Sequence, residues 1–297
     1  MEVFLYPNTL KDQHLLVTRR AAKILRKAGV GLLAPLGCEE ALSQTEIRFL
    51  PDAQAFSEAD AVLTVGGDGT LLRAAACCVA AGKPVLGVNL GRTGFLATCE
   101  VEEMPEKLAR LAAGDFRCTD RGLLCAQAPE HGWRQMALND VSIFGTSRLH
   151  PMDFSVFCDD VRVSRFRGDG LIVATPTGST AYSFSAGGPI LDAEADVFVL
   201  SPVCAHGGRT SPIVFSSARK LRIVAEMDNR TDVTASADSQ PPCVLPPGAC
   251  ITISAAPQRL KLIFFTNGEQ FRAVETKLLR RLPCHEKRAP SGNFGPD

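Results

Sequence analysis

The chain has 297 residues, 45% of them hydrophobic, enough for two domains with cores of their own. Its 32 basic residues balance its 32 acidic ones, so nothing in the charge argues for a nucleic-acid partner or an anionic membrane surface. No run of about 18 apolar residues appears and no signal peptide opens the chain, which together predict a cytoplasmic protein without a membrane partner. The 11 cysteines include no C-x-x-C pair and fall mostly inside apolar runs, so they read as small buried hydrophobes rather than disulfides or zinc ligands.

Val3 to Tyr6 reads as an opening parallel strand. Lys11 to Lys27 follows as a helix, with Leu15, Val17, Ala21, Ile24 and Leu25 at helical spacing and a stop at Gly29. A second strand, Gly31 to Ala34, precedes a poorly patterned segment from Ser43 to Pro51. Then Ala61 to Val65 breaks into Gly66, Gly67, Asp68, Gly69 and Thr70, and a helix runs from about Leu71 to Ala81. Glycines without a Cβ let the backbone come close to a ligand, and successive amides at such a turn form an anion-binding nest beside the helix N-terminus. The same residues also suit a structural turn in which Asp68 or Thr70 caps the helix. A strand from Pro84 to Val88 spills into the loop Asn89 to Phe95, and a helix at about Pro105 to Ala113 closes the region. Strands alternating with helices predict a parallel sheet covered on both faces.

After Gly114 the texture changes to short runs rich in Val, Ile and Phe, several alternating with period two, as in Asp153 to Val163 and Cys250 to Ser254. They predict a second, mostly antiparallel β domain. Phe271 to Leu282 returns to helix, and the residues from Pro290 onward read as a frayed tail. The expected fold class is therefore an N-terminal α/β domain with a parallel sheet and a mostly antiparallel β C-terminal domain. The expected limits are 1–117 for the first, with 266–290 packing back on it, 118–265 for the second, and 291–297 for the tail.

Neither G-x-x-x-x-G-K-[ST] nor G-x-G-x-x-G is present, so both common nucleotide grips are excluded. Polar loops stand in their place, at 66–70, 87–97, 138–140 and 168–190, together with His206. The fourth is dense in glycine and hydroxyl residues. Asp169, Thr180, Tyr182 and Ser185 there offer a nucleoside hydrogen bonds and an aromatic wall, although a sheet-capping turn built on Ser/Thr motifs accounts for the same pattern.

Taken together, GGDGT at 66–70, VNLGRTGFL at 88–96, LND at 138–140 and DGLIVATPTGSTAYSFSAGGPI at 169–190 resemble the NAD kinases. These enzymes phosphorylate the 2′-hydroxyl of the adenosine ribose of NAD. GGDGT alone is shared with diacylglycerol and sphingosine kinases; the combination is far more specific. The resemblance implies that Asp68 is the catalytic proton acceptor. It implies that NAD is bound by Asp68, Gly69, Arg73, Phe95, Asn139, Asp140, Arg167, Asp169, Thr180, Ala181, Tyr182, Ser185 and Gln240. Gly66, Gly67, Gly69 and Thr70 would form the phosphate-donor loop. The donor would be ATP or inorganic polyphosphate, with Mg²⁺ as the divalent cation and no side chain assigned as a metal ligand. A homodimer or homotetramer, in which neighbouring subunits complete one another's sites, is also implied. Three departures from the family pattern stand out. Asp140 replaces a glutamate, the loop Ala205 to Pro212 is remodelled around His206, which receives no role, and Asp238-Ser239 replaces an Asp-Gly pair. A lipid kinase built on the same glycine turn and a non-catalytic dinucleotide sensor are the alternative readings.

Overall fold

The structure, a computed structural model, describes residues 1–278 apart from 44, 92, 93, 148, 207–209, 239 and 267. In the first part β1 (Glu2–Pro7), β2 (Gly31–Pro35), β3 (Arg48–Leu50), β4 (Ala61–Gly66) and β5 (Val85–Asn89) alternate with α1 (Leu16–Lys27), α2 (Glu39–Leu42), α3 (Asp52–Glu58) and α4 (Asp68–Ala81). A short β6 (Cys99–Glu100) and α5 (Met104–Ala112) complete it. Strands β1 to β5 run parallel in the order β3-β2-β1-β4-β5. The chain winds to one side of β1 and then to the other, which opens a crevice at the carboxyl ends of β1 and β4. Both central strands β4 and β5 are buried at every position, as a sheet covered on both faces requires. On one face Ala21 and Leu25 of α1 and Leu108 and Leu111 of α5 pack on Val3, Leu5, Leu63 and Leu86. On the other, Phe56 of α3 and Leu71, Ala74 and Cys78 of α4 pack on Phe4, Leu33, Val62 and Val85. Neighbouring strand residues thus point to opposite layers.

The second part is built from β7 (Arg117–Ala128), β8 (Trp133–Ala137), β9 (Asp140–Gly145), β10 (Met152–Cys158), β11 (Val161–Gly168), β12 (Gly170–Ala174), α6 (Tyr182–Ser185), β13 (Val197–Val203), β14 (Ile213–Ser216), β15 (Lys220–Ala225), β16 (Val233–Ala237), β17 (Cys243–Leu245), β18 (Cys250–Phe264) and α7 (Glu269–Lys277). One sheet has the order β14-β13-β12-β9-β16-β17, with antiparallel pairing throughout. It packs face to face on β10, β15, β18, β7 and β8 around Phe154, Phe198, Leu171, Val141, Ile223 and Ile251. That second layer joins the parallel sheet where Leu262 of β18 pairs with Val85 of β5. Beyond β18, α7 borders a groove with α5, lined by Lys107, Arg110, Arg272 and Thr276, so the last helix returns to the α/β part. An α/β part with a parallel sheet followed by a mostly antiparallel β part is the fold class expected from the sequence.

Several elements differ from expectation. The first helix starts at Leu16, not Lys11, because Asp12 accepts the amides of Val17 and Thr18 at 3.0 and 2.9 Å and His14 and Leu15 adopt left-handed backbone. The poorly patterned segment carries β3, a half-exposed edge strand, and α3 follows it where no helix was expected. Cysteine burial was overestimated: Cys38, Cys78 and Cys99 are buried, but Cys77, Cys118 and Cys204 are exposed. Cys77 lies in an apolar run but on the outward face of α4, where burial follows the helical period rather than the neighbours in sequence. The expected helix end at Leu282 and the 291–297 tail lie outside the described residues. Among the described residues no helix is long and apolar enough to cross a membrane.

Candidate active site

The glycine turn sits at the crevice between β1 and β4. Gly67 has φ 155° and ψ −173°, a conformation open to glycine alone, and it lets α4 begin at the next residue. Gly66 is required for a different reason. A Cβ there would stand 2.3 Å from the Thr70 hydroxyl and 2.9 Å from Cβ of Asn8. Thr70 is buried, and its Oγ1 accepts a hydrogen bond from the Asn8 amide at 3.1 Å. Asn8 also accepts the backbone amides of Leu10 and Lys11, so one buried side chain ties the end of β1 to the glycine turn. Through this tie the Lys11 ammonium comes close to Gly67, within 3.8 Å of where a Cβ would lie. Thr70 therefore anchors the turn from inside, whereas Gly69 is exposed with open space over its Cα.

Asp68 opens α4, where a carboxylate complements the helix dipole. Its Oδ2 accepts the amide of Phe95 at 2.7 Å, and its Oδ1 accepts those of Leu96 and Ala97 at 3.0 and 2.9 Å. The 95–97 loop approaches closely because Gly87 leaves room: a Cβ there would meet Ala97 Cα at 2.7 Å. Three donors occupy three of about four lone-pair directions on a carboxylate. One direction remains for another hydroxyl.

A second carboxylate does the same in the β-rich part. Asp238 accepts the amides of Leu138, Asn139 and Asp140, the last two at 2.8 and 3.1 Å. The neighbouring TPTGST turn closes on the same segment. Thr175 donates its hydroxyl to Leu138 O and its amide to Asn139 O at 2.9 Å. Gly178 lies so near that a Cβ would be 2.1 Å from the Asn139 carbonyl oxygen. The side chain of Leu138 joins Leu71 and Leu96 in one apolar cluster, so the Asp68 helix, the 95–97 loop and Asn139-Asp140 surround a common core.

The hydroxyls of 175–185 are used differently from the sequence reading. Ser179 donates to Pro176 O at 2.7 Å and accepts the Leu191 amide, Thr180 is buried with its hydroxyl donating to Thr177 O, and Ser183 bonds Ser201. These bonds hold the turn together, so of the four residues expected to face a nucleoside Thr180 is buried, while Asp169, Tyr182 and Ser185 are exposed. Tyr182, with neighbouring Ala181 half-buried, stacks on Phe144 with centroids 5.7 Å apart and planes 12° from parallel, and 48% of it is exposed. Phe144 and Asp140 lie on the same face of β9, because Val141 and Ile143 between them point into the core.

Arg73 is exposed, with its guanidinium beside the Tyr6 hydroxyl. Gln240 donates its amide to Met136 O at 2.9 Å, leaving its carbonyl oxygen. Arg167 and Asp169 stand at the far end of β12, where Gly170 pairs with Phe144, while Asp140 pairs with Ala174 at the other end. A five-residue strand separates those ends by roughly 16 Å, so these two groups are not neighbours of Asp140. His206 donates its backbone amide to Arg167 O at 2.7 Å, which gives it a structural contact beside that end. Arg92, Thr93, Gly207, Gly208, Arg209 and Ser239 lie outside the described residues. Asn8, Lys11 and Phe144 escaped sequence reading, since their partners are far away along the chain; the only local signal was a Pro-Asn pair at a strand end.

Burial, and then the charge of Asp238, push the Asp140 carboxyl up to about 7. Asp238 is itself raised by burial, with the three amides pulling against it. Folded Asp140 therefore keeps a proton that the unfolded chain gives up near pH 4. Its contribution is a loss of stability as pH rises from about 4 to about 7, with no further change above. Asp140→Asn removes that titration, so the variant should gain more melting temperature relative to the parent at pH 8 than at pH 5. Equal differences at both pH values would contradict the assigned titration.

Tyr182 supplies a second expectation. As a half-exposed stacked ring it lies outside the main core, so if it covers a nucleoside, Tyr182→Ala should raise the KM for that ligand several-fold with little change in melting temperature. Emptying a packed aromatic site instead costs about 3–5 kcal/mol, and a loss of that size with unchanged KM would remove Tyr182 from the site.

Comparison with known proteins identifies the family. Residues 7–116 match the family model of the ATP-NAD kinase N-terminal domain, and residues 138–265 that of the C-terminal domain. The chain is 36% identical over 302 residues to an NAD kinase of Corynebacterium diphtheriae, covering 97% of this chain and 93% of the relative. It is 38% identical over 222 residues to one of Pseudomonas entomophila, covering 74% and 75%. Among solved structures it resembles an NAD kinase from Archaeoglobus fulgidus in complex with ATP, at TM-score 0.72 and 27% identity over 92% of this chain and 96% of that one. The fold is also that of yeast NADH kinase complexed with NADH, at TM-score 0.84 and 21% identity, covering 97% of this chain and 90% of that one. With both of its parts matched, the chain belongs to the ATP-NAD kinase family.

Proposed function

We propose that the chain is an NAD kinase, transferring the terminal phosphoryl group of ATP to the 2′-hydroxyl of the adenosine ribose of NAD. The observation that carries this reading is Asp68: a carboxylate fixed by three backbone amides, with one lone-pair direction left, beside an exposed Gly69 at the sheet's switch point. A ribose hydroxyl is a weak nucleophile. Asp68 orients it and accepts its proton as the new P–O bond forms, and ADP leaves with the electron pair of the broken bond. The exposed backbone at Gly69 and the Lys11 ammonium balance charge on the phosphates. Asn139 and Asp140 hold the ribose, Tyr182 covers a nucleoside ring, and Phe95 packs near the adenine. Arg167 and Asp169, at the far end of β12, reach the dinucleotide of a neighbouring subunit in a homodimer or homotetramer.

The ATP in the Archaeoglobus structure supports ATP as donor. Among the described residues no group of three His, Cys, Asp or Glu side chains is arranged to hold a metal ion, and Asp68 is engaged by amides. Mg²⁺ would enter as part of the substrate, MgATP, and screen the donor's phosphate oxygens. The protein works in the cytoplasm, and its two working parts divide near residue 117, with α7 returning to the first; residues 279–290 of the expected 266–290 segment lie outside the described residues. A comparison of acceptors at fixed MgATP tests the reading: NAD⁺ should be phosphorylated and diacylglycerol in vesicles should not. The reverse preference would replace the NAD kinase reading with that of a lipid kinase.

A further inference from the structure

The mechanism leaves Asp238 unused. It is an acidic residue on the turn after β16, about a hundred positions from the segment it holds, with a left-handed backbone at φ 46°. A non-glycine residue in that region is strained and persists where surrounding contacts determine it. Here the contacts are plain. The half-buried carboxylate gathers the amides of Leu138, Asn139 and Asp140, and its own amide donates to Asp140 O at 3.0 Å. Gln135 reinforces the junction, accepting the Ala237 amide at 3.2 Å and donating to Pro241 O at 3.1 Å. The arrangement repeats at the turn after β16 what Asp68 does with residues 95–97 at the head of α4.

From this geometry we infer that Asp238 is a positioning residue for the nucleotide. Its carboxylate fixes the backbone from which the Asn139 and Asp140 side chains reach the ribose, and so sets NAD affinity without touching NAD. The inference rests on the NAD kinase reading and deepens it. It also resolves a difficulty of reach. Aspartate at 140 is one methylene shorter than the glutamate of the family pattern, and a backbone held at three consecutive amides gives the short side chain a defined starting point. The second effect of Asp238 is electrostatic. Opposite Asp140, β12 offers Ala174, which does not ionise, and on the β16 side the residue bonded to Asp140 is Asp238 itself, so the acting charge is that of Asp238. Neutralising it should let Asp140 ionise at lower pH.

Asp238→Asn and Asp238→Ala, assayed across pH 5 to about 9 with NAD⁺ and MgATP varied separately, test this. Asparagine is nearly isosteric and keeps one acceptor, so it remains informative should the alanine variant fail to fold. Expected for Asp238→Asn is a rise of about tenfold in the NAD KM, as loss of a charged hydrogen bond brings, with the MgATP KM within about twofold. The acid limb of kcat/KM for NAD should move down by on the order of one pH unit, and the move should vanish when Asp140→Asn is added. An unchanged NAD KM and pH profile, with a lower melting temperature, would overturn the inference and leave Asp238 a purely structural clamp. Absence of NAD phosphorylation by the folded parent chain would instead bring down the functional reading itself, and this inference with it.

Discussion

Asp68→Asn should lower turnover by roughly 10² to 10⁴, the range for a positioned acid–base group, while the chain stays folded. Asparagine has nearly the same shape, but it presents one oxygen to the amides of 95–97 where the carboxylate presents two. With Phe95 on Oδ2 and Leu96 and Ala97 on Oδ1, the substituted side chain must turn its NH₂ toward a donor at one of these places. The loop carrying Phe95 should therefore loosen as the base is lost, and the variant should show both a fall in kcat and a moderate rise in the NAD KM. Steady-state kinetics with a thermal melt separates these effects. Turnover within about threefold of the parent would leave Asp68 a turn residue that clamps a loop.

Gly178→Ala should be the most damaging single methyl in the β-rich part. The new Cβ would lie 2.1 Å from the Asn139 oxygen, 2.4 Å from its carbonyl carbon and 2.6 Å from its Cα, all of them backbone. A flexible side chain could step aside; these atoms are held from the other direction by Asp238. Overpacking of this kind costs about 1–3 kcal/mol, and if it is relieved by displacing Asn139 the same figure appears as a loss of roughly 5- to 150-fold in kcat/KM for NAD. The MgATP KM should hold within about twofold, since the glycine turn lies on another element. An NAD KM unchanged within about twofold would mean that the exact position of Asn139 does not govern binding.

These two positions also show what was legible in the sequence. The glycine turn could be read because its chemistry is local: strand, Gly67 and helix start are adjacent, and the acidic residue follows at once. The two-part fold was readable from periodicity, which fails only where burial is partial, as in β3 with its exposed Arg48. Hydroxyl density in TPTGST was visible, but its purpose was not. Whether Ser179 and Ser183 face a ligand or a carbonyl depends on Pro176, Leu191 and Ser201, which only the folded turn brings near. The clamps were hidden for the same reason. Asn8 meets Thr70 across 62 positions, and Asp238 meets Asn139 across 99. No period or motif spans such gaps. Arg73 shows the converse limit: a motif position carries over by its place in the chain, but its side chain meets Tyr6.

The most direct measurement is NADP⁺ formation by the purified, folded chain incubated with NAD⁺ and MgATP, with ADP followed in the same samples and Asp68→Asn run alongside. The account predicts NADP⁺ and ADP in equal amounts, phosphorylated at the 2′ position, with the rate reduced at least about a hundredfold in the variant. ATP consumption without NADP⁺, or no product from a protein shown by its thermal melt to be folded, would contradict it.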